Sequence, residues 1–360
     1  MYINPSFFVL ARPPCLVIWD YKRHTQFELD PDYSARLIQL IATPEQLDPC
    51  NSMDAQFLAA GLFTPIQQVP TPWGWDELSK IFHIGTKNIP CEYMPQDINE
   101  WSQHYLAHCK EVMAAAPPPP RCTFDGPELI PLPDPALSVA RAAGLATTLI
   151  QRKTCRSFTP RAVSLVDVGT LLYLTLGYLH ERADDDDPAI AEGFAARRSS
   201  PSGGGLNACD GYLYVRNVSG LAPGVYFYHP DRHALQLVAP LLDAPLGQLL
   251  AGQHFINPLP VGLFITCRFD KLWWKYEHSR AYRMAYVEAG HLSQTFQLLA
   301  TALGLNTWLT GALSDAQVEA QLGLQEASAE QALFFVGCGH GDGQAQCQEL
   351  RALIAAQDAP

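Results

Sequence analysis

The chain has 360 residues, and its 36 acidic against 24 basic side chains leave a formal charge of −12. That acidic balance argues against nucleic acid as a partner, because phosphate binding needs a basic surface. With 48% hydrophobic and 17% charged residues the chain can build a core and is too weakly charged for disorder, while no apolar run approaches the roughly 20 residues of a membrane span. The stretch from Met1 to Pro14 lacks a basic segment leading into an apolar one, so a cytoplasmic protein without a signal peptide is expected. Ten cysteines fall singly, with no Cys-x-x-Cys pair. They are expected as free thiols, with neither a zinc site nor a disulfide framework.

In chain order, Phe7–Leu10 and Cys15–Trp19 read as short strands and Tyr33–Ala42 as a helix carrying Leu37, Ile38, Leu40 and Ile41. A further helical stretch, Met53–Ala60, stops at Gly61. Residues 1–65 are therefore expected to form a small winged-helix-like module. A connecting segment, 66–135, contains the four prolines Pro117–Pro120, which form a stiff joint because proline fits neither helix interior nor central strand. A second proline-rich stretch runs from Pro127 to Pro135, and Asp184–Asp187 is an acidic loop. Within 136–360, Ser164 with Asp167 three residues on is a capping-box variant, opening a helix through Val168, Leu171, Leu172 and Leu176. Tyr212–Val215, Val225–Tyr228 and Leu235–Val238 read as strands, the last two joined in a hairpin across His229–His233. Val261–Cys267 is apolar on both faces, as a central strand should be. The stripe Ala285, Ala289, Leu292, Phe296, Leu299, Leu303 marks one long helix, closed at Gly304, and Leu333–Val336 adds another central strand. Helices around a largely antiparallel sheet make an α+β fold.

Two segments carry the materials for chemistry. Arg152-Lys153-Thr154-Cys155-Arg156-Ser157-Phe158 sets three cations beside two hydroxyl donors, an anion-binding kit of the kind that holds phosphate. Arg197-Arg198-Ser199-Ser200-Pro201-Ser202-Gly203-Gly204-Gly205 ends in three glycines that let the backbone approach a ligand closely. Its glycines match neither the dinucleotide fingerprint nor the P-loop.

The run Arg-Lys-Thr-Cys-Arg-Ser-Phe at 152–158 resembles the Arg-x-Ser/Thr-x-Arg-x-Phe opening of nitroreductase-fold flavoproteins. Pro201–Gly204, the following strand Gly211–Val215 and Gly220–Tyr228 are similar to the SagB/McbC-type branch, as is Trp75–Lys87 upstream. That branch comprises FMN-dependent dehydrogenases that turn thiazolines and oxazolines of modified peptides into azoles. The resemblance implies FMN as cofactor, a homodimer built near the long helix, a modified peptide substrate and a cyclodehydratase partner. It implies that Arg152, Lys153, Thr154 and Arg156 meet the flavin phosphate and ribityl chain, and that Pro201, Ser202, Gly203 and Gly204 lie beside the ring. Gln294 and Gly311 fall on further flavin contacts, and Lys275-Tyr276 on the pair associated with azoline oxidation. Two departures stand out: Gln294 is followed by Thr295 where the family often has Asn, and Asn207–Asp210 is not the usual continuation after the glycines.

Making an azole from an azoline removes a Cα proton and delivers hydride to flavin N5, so a base must stand near the substrate. Lysine or tyrosine at an ordinary pKa is a poor base; side by side and partly desolvated, either becomes suitable, and the residues leave the choice between Lys275 and Tyr276 open. His83, His278 and His291 are alternative bases. The same residues also suit a nitroreductase-fold oxidoreductase acting on another small or carrier-bound substrate, or a non-catalytic peptide-binding scaffold.

Overall fold

The computed structural model describes residues 1–68, 73–88, 96–118, 129–180, 182, 196–324 and 329–357. The acidic loop at Asp184–Asp187, Pro119, Pro120 and Pro127 lie outside the described residues. The chain divides into two compact units, residues 1–105 with 278–280, and residues 106–277 with 281–360. No described helix is long and apolar enough to cross a membrane.

In the first unit, strands Phe7–Arg12, Cys15–Asp20 and Thr25–Leu29 form an antiparallel meander in sequence order. Two helices follow, Pro31–Ala42 and Ser52–Ala59. The first starts where Asp30 accepts hydrogen bonds from the Asp32 and Tyr33 amides with Pro31 at its first position, and Asn51 caps the second in the same way. Of the four apolar residues expected to line the first helix, Leu37 and Leu40 are buried with Ile18, Leu29, Phe57 and Phe63, whereas Ile38 and Ile41 face solvent. Among the described residues no strand pairs with the outer edge of the third strand. Beside it lies a cavity of about 800 Å³, lined among others by Phe27, Leu29, Tyr33, Gln56 and Phe57.

The second unit is built on seven strands, β1 (Ile130–Pro131), β2 (Cys209–Val215), β3 (Gly224–His229), β4 (Ala234–Ala239), β5 (Val261–Arg268), β6 (Asn306–Thr310) and β7 (Glu330–Gly339). They pair in the order β6-β7-β5-β2-β3-β4-β1, every pair antiparallel. Around them lie α1 (Leu145–Gln151), α2 (Leu165–Leu176), α3 (Phe269–Lys275) and α4 (Tyr282–Ala302). Alternation of side chains divides the core into two layers. Leu213, Val215, Leu263 and Ile265 pack with Leu172 and Leu176 of α2 and Leu292 and Phe296 of α4. Their neighbours Tyr212, Tyr214 and Phe264 face the opposite layer with Trp308 and Phe335. At the start of α2, Ser164 Oγ accepts from the Asp167 amide at 3.0 Å, the expected cap. The fold is α+β with a largely antiparallel sheet, as the sequence predicts. The strand β6 and the helix α3 carry no periodicity clear enough to be read in advance, being five and seven residues long.

Candidate active site

The basic segment leaves the end of α1 and runs along the edge strand β6 and the stretch that follows β7. Thr154 bridges Thr307 of β6, and the Cys155 amide donates to the Thr307 carbonyl at 2.8 Å. The Arg156 amide donates to the Gln344 carbonyl, and its guanidinium to that of Ala345. Lys153 reaches the backbone of Gly343, where an added Cβ would stand 3.1 Å from its Nζ. Among the described residues no carboxylate lies within ion-pairing distance of Arg152, Lys153 or Arg156. Three uncompensated cations gathered on one loop cluster fit an anionic group such as phosphate.

The glycine loop is held along one face of α4. Ser202 Oγ donates to Glu288 Oε2 at 2.6 Å, Ser200 Oγ and Thr295 Oγ1 are 2.8 Å apart, and His291 Nδ1 meets the Pro201 carbonyl at 3.3 Å. Glu288, His291 and Thr295 step by three and four, so one helix face grips successive loop residues. Asn207, in a left-handed conformation with φ 46°, closes the loop by donating its amide to Ser202 Oγ at 2.9 Å. The unusual continuation after the glycines therefore has a local role.

At the tip, Gly204 has φ 63°. Lys275 Nζ donates to its carbonyl at 3.0 Å. A Cβ on Gly204 would stand 2.5 Å from Tyr276 Oη and 2.9 Å from Lys275 Nζ. Two segments separated by about 70 residues of sequence thus close on one another, and only a glycine fits between them. Lys275 is buried at 3% exposure. Burial pulls its ammonium below the ordinary lysine value, opposed by the nearby Cys109 thiol, and burial pushes the Tyr276 phenol up, with Cys109 adding to the rise. Each shift moves its group toward the uncharged form.

Other expected residues fall elsewhere. Gln294 is exposed on α4, its carbonyl oxygen accepting from Gln297 at 3.4 Å, and Gly311 is exposed just past β6. His83 packs on Trp73 within the first unit, with ring centroids 5.2 Å apart. Sequence reasoning missed Glu288 and gave Arg198 no role of its own. Glu288 is buried, accepts from the Cys209 amide at 3.0 Å as well as from Ser202, and lies 3.9 Å from the buried Arg198 guanidinium. Its signal was available, because it stands three residues after Ala285 and four before Leu292 on the apolar stripe, where a carboxylate needs a partner. Thr307 Oγ1 also donates to Gln297 of α4 at 3.3 Å. One helix therefore holds both the strand that Thr154 bridges and the glycine loop, so an anion-binding cluster and a closely approachable backbone are supported by the same element.

This fold, with an anion cluster and a glycine cradle hung on one long helix, is the arrangement of a nitroreductase-fold protein. The nitroreductase family model matches residues 149–340, more than half of the chain, and the chain belongs to that family. MJ1384 of Methanocaldococcus jannaschii, named as a nitroreductase, is 31% identical over 186 residues, 51% of this chain and 85% of that protein. The trifolitoxin-processing protein TfxB of Rhizobium leguminosarum bv. trifolii is 25% identical over 310 residues, covering 83% of this chain and 78% of its own. The microcin B17-processing protein McbC of Escherichia coli is 28% identical over 174 residues, 46% of this chain and 62% of that protein. The resemblance to the SagB/McbC-type branch stands on the last two.

Proposed function

We propose that the protein is an FMN-dependent dehydrogenase that oxidises azoline rings of a peptide to azoles. The observation that supports this most directly is the buried Lys275 amine seated on the Gly204 carbonyl beside Tyr276. Arg152, Lys153, Thr154 and Arg156 would hold the FMN phosphate and ribityl chain, and Pro201–Gly204 the ring. When bound, FMN supplies a two-electron acceptor.

The chain's own part is the proton. A neutral Lys275 amine can donate one N–H to Gly204 and keep its lone pair for the ring Cα proton. The resulting ammonium stays on the same carbonyl, which stabilises it more strongly than the amine. Tyr276, kept protonated by burial, acts as a hydrogen-bond donor, so Lys275 is the base. Anaerobic mixing with a thiazoline-containing peptide should bleach the flavin absorbance, and mass spectrometry should show a product lacking two hydrogens. An unbleached flavin with such peptides, together with turnover of nitroaromatics by NAD(P)H, would identify a reductase instead.

Arg156→Ala is expected to weaken FMN binding tenfold or more, since each charged hydrogen bond contributes about 1.5–3 kcal/mol. Fluorescence of flavin released on denaturation measures this, and full occupancy in the variant would remove Arg156 from the phosphate site.

The names of TfxB and McbC support a peptide substrate, which a cyclodehydratase would have to supply by forming the azoline. A homodimer through α4 is supported by its exposed Tyr282, Tyr286 and Val287. The first unit is proposed to hold the unmodified part of the peptide as an added strand on Thr25–Leu29, with an apolar side chain entering the adjoining cavity. Phe27→Gln should then lower peptide affinity several-fold, read by fluorescence anisotropy, while the flavin colour stays. Unchanged affinity would leave this unit without that role.

A further inference from the structure

His108 lies outside the stretch that the family model matches and outside every motif read from the sequence. Its ring nonetheless meets the proposed base. His108, near the end of the helix Ile98–Ala114, places Nε2 at 3.1 Å from the carbonyl oxygen of Lys275. A carbonyl only accepts, so Nε2 carries the proton.

The position of that carbonyl gives the contact its meaning. Lys275 is the last residue of α3, where carbonyls have no partner within the helix. The Lys275 carbonyl and the Tyr276 amide belong to one planar peptide unit. The Tyr276 amide donates back to the Leu272 carbonyl at 2.9 Å, while His108 holds the opposite edge of the same plane. With both edges tied, the plane cannot rotate, and its rotation is what would swing the Lys275 and Tyr276 side chains away from Gly204. The next residue, Cys109, acts through space on both Lys275 and Tyr276, so two successive residues of this helix face the pair.

We propose that His108 is a positioning residue, which fixes the peptide plane between Lys275 and Tyr276 and so keeps the Lys275 amine on the Gly204 carbonyl. For catalysis this rests on Lys275 being the base; as a statement about the amine it stands independently.

The test is competitive acylation of Lys275 by acetic anhydride across a pH series in the full-length protein, followed by mass spectrometry of the peptide that contains it. In the native protein the midpoint should lie below the ordinary lysine value, with Cys109 and the adjacent Tyr276 as the titratable neighbours. His108→Ala should raise the midpoint toward the ordinary value as the amine gains water. His108→Gln, whose amide can also donate to the carbonyl, should stay close to native. With FMN occupancy equal in all three, flavin reduction by an azoline peptide should fall about tenfold in His108→Ala and recover in His108→Gln, the scale of one hydrogen bond. An unchanged midpoint in His108→Ala overturns the proposal, as does an equal loss in both variants accompanied by a lowered melting temperature, which would mean packing alone. A raised midpoint in His108→Ala, in a protein whose native form no azoline peptide reduces, upholds the positioning role and rejects the azoline reaction.

Discussion

Lys275→Ala should slow flavin reduction by an azoline peptide about 10²–10⁴-fold, the usual worth of a placed general base, while leaving FMN occupancy intact. The loss follows from the proton: the ring cannot surrender two electrons while its Cα–H is held, and Lys275 is the buried amine at the cradle, its ammonium disfavoured by burial. The sign of the pH dependence is set by the same group. Only the unprotonated amine can accept a proton, so the native rate should rise with pH through a midpoint below the ordinary lysine value. Lys275→Ala should abolish that rise. Tyr276→Phe should cost about tenfold, because a phenol kept protonated contributes a hydrogen bond and not a base. Stopped-flow reduction at saturating peptide measures all three. Native rates in Lys275→Ala would end its assignment as base.

Gly204→Ala is expected to approach the same loss by a steric route, and Gly220→Ala serves as its control. Both glycines have positive φ, 63° and 84°, so each alanine should cost about 1 kcal/mol of backbone strain. They differ in what the new methyl meets. At Gly220 nothing lies within 4 Å, whereas at Gly204 the methyl would be 2.5 Å from Tyr276 Oη and 3.0 Å from Lys275 Cδ. Gly220→Ala should therefore lower the melting temperature slightly and leave the rate alone. Gly204→Ala should displace the pair and reduce the rate by about 10²-fold, with the anion cluster at Arg152–Arg156 still able to hold flavin. Equal rates in the two alanine variants would show that the close approach of loop and pair has no part in catalysis.

Local sequence was enough for the elements whose signals are local. The caps at Ser164 and the stripe from Ala285 to Leu299 depend on neighbours within two turns, and the central strands declare themselves by being apolar on both faces; each is found where expected. Motif resemblance identified the basic segment, the glycine loop and the Lys275-Tyr276 pair, because each is a contiguous run. What no run could contain is their meeting. Gly204 and Lys275 come together only because β2 and β5 pair and because α3 leaves the end of β5. Glu288 was legible as a misplaced charge, yet its partners Ser202, Cys209 and Arg198 lie about 80 or 90 residues away. His108 carried no local signal, since a helix histidine outside every motif does not announce a partner 167 residues away. Residue types and spacing determined by themselves the α+β class, and the resemblance of contiguous motifs supplied the family and the candidate groups. Tertiary structure decided which of them meet and which way burial moves their titration, because burial and contact at long sequence separation are set by how the sheet and its helices pack.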